Sequence, residues 1–132
     1  MDTSKTVFIA DDDEDDIFFF NEAVKEVDNN VELIVAKDGL EAMNILKDPQ
    51  TKTPHYIFLD LNMPKKSGKQ CLIEIRSEDK FHQVPVIIYT TSSSEEDEKE
   101  TLLLGADYFI TKFKTIDELC NTLAELLKNG RM

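Results

Sequence analysis

The sequence predicts an α/β fold on a parallel sheet, and three observations predict it. Short apolar runs rich in Val, Ile, Phe and Tyr recur along the chain, a helix-like segment follows each one, and the runs stop at polar or charged residues. Runs this short and uniformly apolar suit strands buried on both faces, the condition of a parallel sheet sandwiched between helices. Strand followed by helix, repeated without sequence repetition, is the pattern of βαβ units, and right-handed crossovers are expected.

The strand-like runs lie at 6–10, 32–36, 55–60, 84–90 and 108–111. The helix after the first run spans 14–27, where Phe20, Ala23, Val24 and Val27 follow i, i+3, i+4, i+7 spacing. The run from Ile17 to Phe20 is too wide for one face, because consecutive residues on a helix sweep ~100° each. Ile17 or Phe18 is therefore expected to be partly exposed. Such a residue reads equally as an incidental surface side chain or as a docking spot for a partner helix.

The second helix, 40–47, follows the turn Lys37-Asp38-Gly39. The third, 69–77, turns Cys71, Leu72 and Ile75 inward. The fourth opens in a serine and glutamate run, where Ser94 and Asp97 have capping-box spacing, acidic residues in the first turn suit the helix dipole, and Gly105 suits the stop. The fifth, 116–128, turns Ile116, Leu119, Leu123 and Leu126 or Leu127 inward, and Asn129 and Gly130 end it.

At 132 residues and 41% hydrophobic content the chain reads as one domain, with neither linker nor second domain. A net charge of −12, from 27 acidic and 15 basic residues, argues against direct binding to nucleic acid or an anionic membrane. It suits a basic partner surface or simple solubility. No apolar stretch approaches the ~20 residues of a membrane helix. The N-terminus has no basic region and its apolar run stops at Asp11, so it is not a secretion signal. A cytoplasmic protein is expected, with Cys71 and Cys120 as buried thiols.

In an open parallel sheet the ligand site lies past the carboxyl ends of the strands. The first run ends at Asp11 and Asp12, the third at Asp60, the fourth at Thr90 and the fifth just before Lys112. These side chains are far apart in sequence but are predicted to converge. Adjacent carboxylates at Asp11 and Asp12 repel unless a cation lies between them, and oxygen ligands of this kind suit Mg²⁺. Asp60 is no helix cap, because Pro64 disfavours helix at Met63. A carboxylate so placed can accept a phosphoryl group if a metal offsets the phosphoryl charge. A hydroxyl (Thr90) and an ammonium (Lys112) are suitable donors to the remaining phosphoryl oxygens.

Together the segments FIADDD, IFLDLNMP, PVIIYTT and GADYFITK resemble the receiver domain of bacterial two-component response regulators, of the stand-alone, chemotaxis-regulator-like type, over essentially the whole chain. The resemblance implies a flavodoxin-like doubly wound sheet of order 2-1-3-4-5 with helices on both faces, and a single receiver domain over 1–132 without an output domain. It implies that Asp60 is phosphorylated by a histidine kinase or histidine phosphotransfer protein. Asp12 and Asp60 would ligate Mg²⁺ directly, Asn62 through its backbone carbonyl and Asp11 through water. Thr90 and Lys112 would contact the phosphoryl group. Phe109 would couple Thr90 to the surface of helix four, strand five and helix five, which would be read by a downstream protein. Asn62 and Ser92 flank the reactive position and would tune loss of the phosphoryl group. Such a protein is a signalling phosphoacceptor in a phosphorelay, promoting only its own phosphorylation and dephosphorylation.

The sequence departs from the family's pattern in two places. Phe113 stands after Lys112 where a proline is usual, often in cis. A non-proline cis bond costs ~3 kcal/mol, so a trans bond or an altered loop is expected. Lys65, Lys66 and Lys69 form a basic cluster that reads as a screen for the site, as a steering patch for an acidic partner, or as surface filler. Three rival readings weigh less. An EF-hand loop over Asp11, Asp13, Asp15 and Glu22 has Asp16 where the template needs glycine. A haloacid-dehalogenase-like phosphohydrolase would carry an aspartate where Asn62 stands. A phosphorylation-independent scaffold would have no use for the complete set of site side chains.

Overall fold

Every strand buries both faces or lies at the margin of a two-sided core, and that decides where the helices go. The computed structural model describes residues 4–113 and 115–130. The elements run β1 (Thr6–Ala10), α1 (Glu14–Val27), β2 (Glu32–Ala36), α2 (Gly39–Lys47), β3 (Tyr56–Leu59), α3 (Gly68–Arg76), β4 (Val86–Thr90), α4 (Glu95–Leu103), β5 (Tyr108–Thr111) and α5 (Ile116–Asn129). The five strands are ordered β2-β1-β3-β4-β5, and every adjacent pair is parallel.

Side chains alternate between the faces of the sheet with a period of two residues. Phe8, Ala10, Ile57, Leu59, Val86 and Ile88 point to one core, closed by Met43 and Leu46 of α2 and Cys71, Leu72 and Ile75 of α3. Val7, Ile9, Tyr56, Phe58, Ile87 and Tyr89 point to the other, closed by Phe20, Ala23 and Val24 of α1 and the leucines of α5. Register brings the strand ends level: Ala10 pairs with both Ala36 and Leu59, and Leu59 pairs with Ile88.

Each helix starts on a side-chain cap. Asp13, Asp38, Ser67, Ser94 and Thr115 all accept backbone N–H groups of the first turn, satisfying donors that would otherwise lack partners. Ser67 and Gln70 form the reciprocal capping box. Ser94 accepts from Asp97, but the carboxylate of Asp97 is drawn away to Ser92 and Lys69, so the box is half-made.

Phe18 is the exposed member of the aromatic run, at 66%. It lines a groove of about 450 Å³ with Ile17 and with Leu33 and Val35 of β2. Ile116 departs from expectation. It is exposed, while Leu119, Leu123, Leu126 and Leu127 are buried, because it opens the first turn of α5, before the helix's apolar stripe meets the sheet. Strand β4 starts at Val86 rather than 84. Pro85 has no N–H to give a ladder, and the carbonyl of Val84 is taken by Arg76. Arg76 also donates to the carbonyls of Gly105 and Phe81 and to the carboxylate of Asp107, which in turn accepts from the N–H of Val86. This clamp, and a 3-10 turn at Asp79–Phe81, had no counterpart in the sequence reading. Helix α4 is anchored differently from the others. Thr101 is its buried residue, and Leu102 and Leu103 are exposed.

Gly68 is a tight constraint beside the end of β3. A Cβ there would collide with the backbone carbonyl of Asp60 and come within 2.9 Å of Leu61 Cα. Gly68→Ala should therefore lower stability to urea by about 2 kcal/mol. An unchanged midpoint would show that the loop after β3 gives way freely.

Candidate functional site

The backbone brings the acidic residues together before any side-chain contact is considered. The N–H of Asp11 donates to Ala36 O and the N–H of Asp60 donates to Ala10 O, both at 3.0 Å, so both carboxylates leave the sheet side by side. Asp11 is fully buried, Asp60 is 7% exposed, and Asp12 is exposed. Carboxylate oxygens of Asp11, Asp12 and Asp60 lie within 4.8 Å of one another. Oδ1 of Asp11 accepts from the N–H of Asp13. Oδ2 of Asp11 is buried without a hydrogen bond of good geometry. Three carboxylates within 4.8 Å of one another, one of them fully buried, are the donor set a hard divalent cation takes, so the residues present fit such an ion.

Lys112 supplies the opposing charge. Its backbone N–H donates to Thr90 O at 2.7 Å, which fixes where the side chain starts. Its Nζ lies 2.8 Å from Asp11 Oδ2, 3.2 Å from Asp60 Oδ2 and 2.6 Å from Asp16 Oδ2. It also lies 5.7 Å from the centre of the Tyr89 ring. Burial alone would lower the ammonium's pKa, but the pull of Asp11, Asp16 and Asp60 outweighs it and holds the group above the ordinary lysine value. Burial lifts the Asp11 carboxyl to about 6, with Lys112 pulling the other way. Burial likewise raises the Tyr89 hydroxyl to about 12.

Thr90 ends β4 fully buried, and its Oγ1 accepts from the N–H of Ser92 at 3.3 Å. The Ser92 hydroxyl donates to Asp97 Oδ2 at 2.9 Å, so it is turned toward α4. Asp97 is held below the usual carboxylate range by hydrogen bonds from Lys69 and then Ser92, and Lys69 also pairs with Glu100. A continuous polar chain thus runs from Thr90 through Ser92 and Asp97 to α3. Phe109 is half-buried against the core that contains Ile88 and Leu104. Phe109 pairs with Ile88 and Thr111 with Thr90, so Phe109 sits one step behind Thr90 on the same face of the sheet. Asn62 is exposed beyond the end of β3.

The structure therefore gathers Asp11, Asp12, Asp60 and Lys112, places Thr90 at the neighbouring strand end, and sends Ser92 toward α4. The basic cluster is spent within the chain. Lys65 pairs with Asp38, Lys66 with Glu74, and Lys69 with Asp97 and Glu100. Lys65 adopts a φ of 69°, a left-handed conformation uncommon for a side chain of this kind. No peptide bond among the described residues is cis, so Phe113 follows Lys112 through a trans bond. Asp16 was missed as a site residue. A signal for it existed: it lies four residues before Phe20 and so continues the buried stripe of α1 toward the strand ends.

Residues 7–124 match the family described as the response regulator receiver domain. The chain is similar to the response regulator Rcp1 of Synechocystis sp., 32% identical over 119 residues, spanning 87% of this chain and 81% of Rcp1. It is also similar to the polar-differentiation response regulator DivK of Brucella anthropi, 24% identical over 123 residues, spanning 93% of this chain and 96% of DivK. Among solved structures, the Mn(2+)-bound form of Rcp1 shares the fold with a TM-score of 0.82 at 30% identity, over 92% of this chain and 91% of that one. The phosphorylated cyanobacterial phytochrome response regulator RcpA gives 0.88 at 29%, over 98% of each chain.

The raised pKa of Asp11 has a definite sign in stability. Between its ordinary value of 3.8 and about 6 the native state keeps a proton that the unfolded chain has released. Metal-free protein should lose stability as pH rises through that window. Asp11→Asn should remove this slope and raise metal-free stability at neutral pH by roughly 1–2 kcal/mol, read by urea denaturation in a chelator at stepped pH. The same slope in the variant would assign it to another group.

Proposed function

Because the chain belongs to the response regulator receiver family, whose members are phosphoacceptor signalling proteins, we propose that Asp60 is the residue that takes the phosphoryl group. The observation that carries this reading is the reach of Lys112 Nζ from the end of β5 to both Asp60 Oδ2 and Asp11 Oδ2, which puts an ammonium beside a nearly buried carboxylate at the mouth of an acidic cluster.

Receiver domains accept phosphoryl groups from histidine kinases and bind downstream targets, and the donor here would be a histidine kinase or histidine phosphotransfer protein. An Asp60 oxygen attacks phosphorus, the new O–P bond forms as the P–N bond to the donor imidazole breaks, and the imidazole leaves with the electron pair and takes up a proton. Mg²⁺, held by Asp11, Asp12, Asp60 and the backbone carbonyl of Asn62, would offset phosphoryl charge when bound. Lys112 would donate to one phosphoryl oxygen and the Thr90 hydroxyl to another. The Mn(2+)-bound form of Rcp1 supports binding of a divalent metal by this fold, and the clustering of the Asp11, Asp12 and Asp60 carboxylates supports it independently.

The readout follows from the resting bonds. Thr90 turning toward the phosphoryl group gives up its contact with the Ser92 N–H, and through Ser92 the change reaches Asp97 and the first turn of α4. Phe109 would follow Thr90 across the same face, and the surface of α4, β5 and α5 would present a new shape to its target. This biases a two-state element that the fold already contains. With its hydroxyl on Asp97, Ser92 would tune dephosphorylation together with Asn62 by controlling how water reaches the site. We assign the chain a single receiver unit over 1–132, acting in the cytoplasm. It would catalyse nothing beyond its own phosphorylation and dephosphorylation. Among the described residues no helix is long and apolar enough to cross a membrane.

Acetyl phosphate with Mg²⁺ should add one phosphoryl group by intact mass. Asp60→Asn should add none, and Lys112→Ala should retain metal binding while losing at least tenfold in the yield of phosphoprotein. Wild-type protein whose mass never changes under these conditions would refute the assignment of Asp60.

A further inference from the structure

The phosphoacceptor reading uses Asp11, Asp12, Asp60, Thr90 and Lys112, and leaves the shortest contact in the site without a role. Lys112 Nζ is closer to Asp16 Oδ2, at 2.6 Å, than to Asp60 Oδ2, at 3.2 Å. Asp16 is neither a metal-cluster residue nor a strand-end residue. It stands in the first turn of α1.

Its placement is firmly built. The carboxylate of Asp13 caps α1 by accepting the N–H of both Asp15 and Asp16. One turn further on, fully buried Phe20 packs edge-on against Phe58 at 4.9 Å between ring centres and against Tyr89 at 5.7 Å. Tyr89 is also the ring beneath Lys112 Nζ. Cap and aromatic anchor together hold Asp16 at a fixed distance from the end of β5. On the other partner, the Lys112 side chain is 8% exposed, and Phe113 gives the following peptide no ring to lock it. The ammonium is therefore positioned by side-chain contacts, and Asp16 makes the shortest of them.

The geometry points to Asp16 as a positioning residue that holds Lys112 in its resting place and competes with the phosphoryl group for it. The inference rests on the phosphoacceptor reading and adds a competitor to it. A phosphoryl group on Asp60 brings close to two negative charges and draws the ammonium toward its own oxygens. That movement must be won against the Asp16 carboxylate, which is two-thirds buried and only partly screened by solvent. Asp16 thereby lowers the affinity of the site for the phosphoryl group and keeps Lys112 ordered when the group is absent.

The test is a double-mutant cycle read by calorimetric titration with beryllium fluoride at saturating Mg²⁺. Asp16→Asn keeps the shape and removes the charge, and it should tighten beryllofluoride binding roughly three- to tenfold, the size of one partly buried charge contact. Asp16→Glu, which restores the carboxylate, should return affinity toward wild type. In a Lys112→Ala background Asp16→Asn should change affinity less than twofold, because the residue acts through the lysine. Unchanged or weaker binding by Asp16→Asn overturns the inference, and so does an equal gain in both backgrounds, which would reduce Asp16 to a background charge. Asp16→Ser serves as the second variant should Asp16→Asn fail to fold. Wild-type protein that binds no beryllofluoride at all would instead overturn the assignment of Asp60.

Discussion

One ammonium holds the functional end of this molecule together. Lys112 is nearly buried, and the carboxylates of Asp11, Asp16 and Asp60 converge on it from β1, α1 and β3. Acids this close would force one another toward the protonated form without a cation among them. Lysine supplies that cation from the protein itself, and the clustered carboxylates of Asp11, Asp12 and Asp60 are donors for a second, metallic one. The strand ends can therefore carry the density of charge that phosphoryl chemistry needs while the two cores on either side of the sheet stay apolar.

The fold was legible because its three inner strands sit in a two-sided core and its edge strands stay largely half-covered. When both faces are buried, alternation of polar and apolar residues disappears, and the strand is visible as a short continuous apolar run ended by whatever the site requires. The runs at 6–10, 32–36 and 108–111 match the observed strands residue for residue. The boundary of β4 was less visible, because it depends on a long-range partner: Arg76 removes Val84 from the ladder. An arginine on the polar side of an amphipathic helix carries no local mark of the loop carbonyls it will meet.

The site divides along the same line. Asp11, Asp12, Asp60, Thr90 and Lys112 could be read because a strand end is a position that sequence defines. Asp16 could be placed only by following the helical stripe of α1 backward from Phe20, and the surrounding acidic run masked it as an ordinary helix start. The partners of Lys65, Lys66 and Lys69 could not be read, since an ion pair between helices depends on crossing geometry that spacing does not encode. Lys69, read from sequence only as part of a basic cluster that could screen the site, steer a partner or fill surface, in fact ties α3 to α4.

The Arg76 clamp has a mechanical consequence. It grips the carbonyl of Gly105 and, through Asp107, the start of β4, so the C-terminal end of α4 is pinned to the rigid body of the domain. The opposite end is held by exchangeable polar contacts alone. Any displacement of this helix is thus a swing about a pivot at its far end, with its N-terminal turn tracing the largest arc. A helix of nine residues is a lever arm of ~13 Å, so a tilt of ~15° carries its tip through roughly 3 Å, about the length of a hydrogen bond.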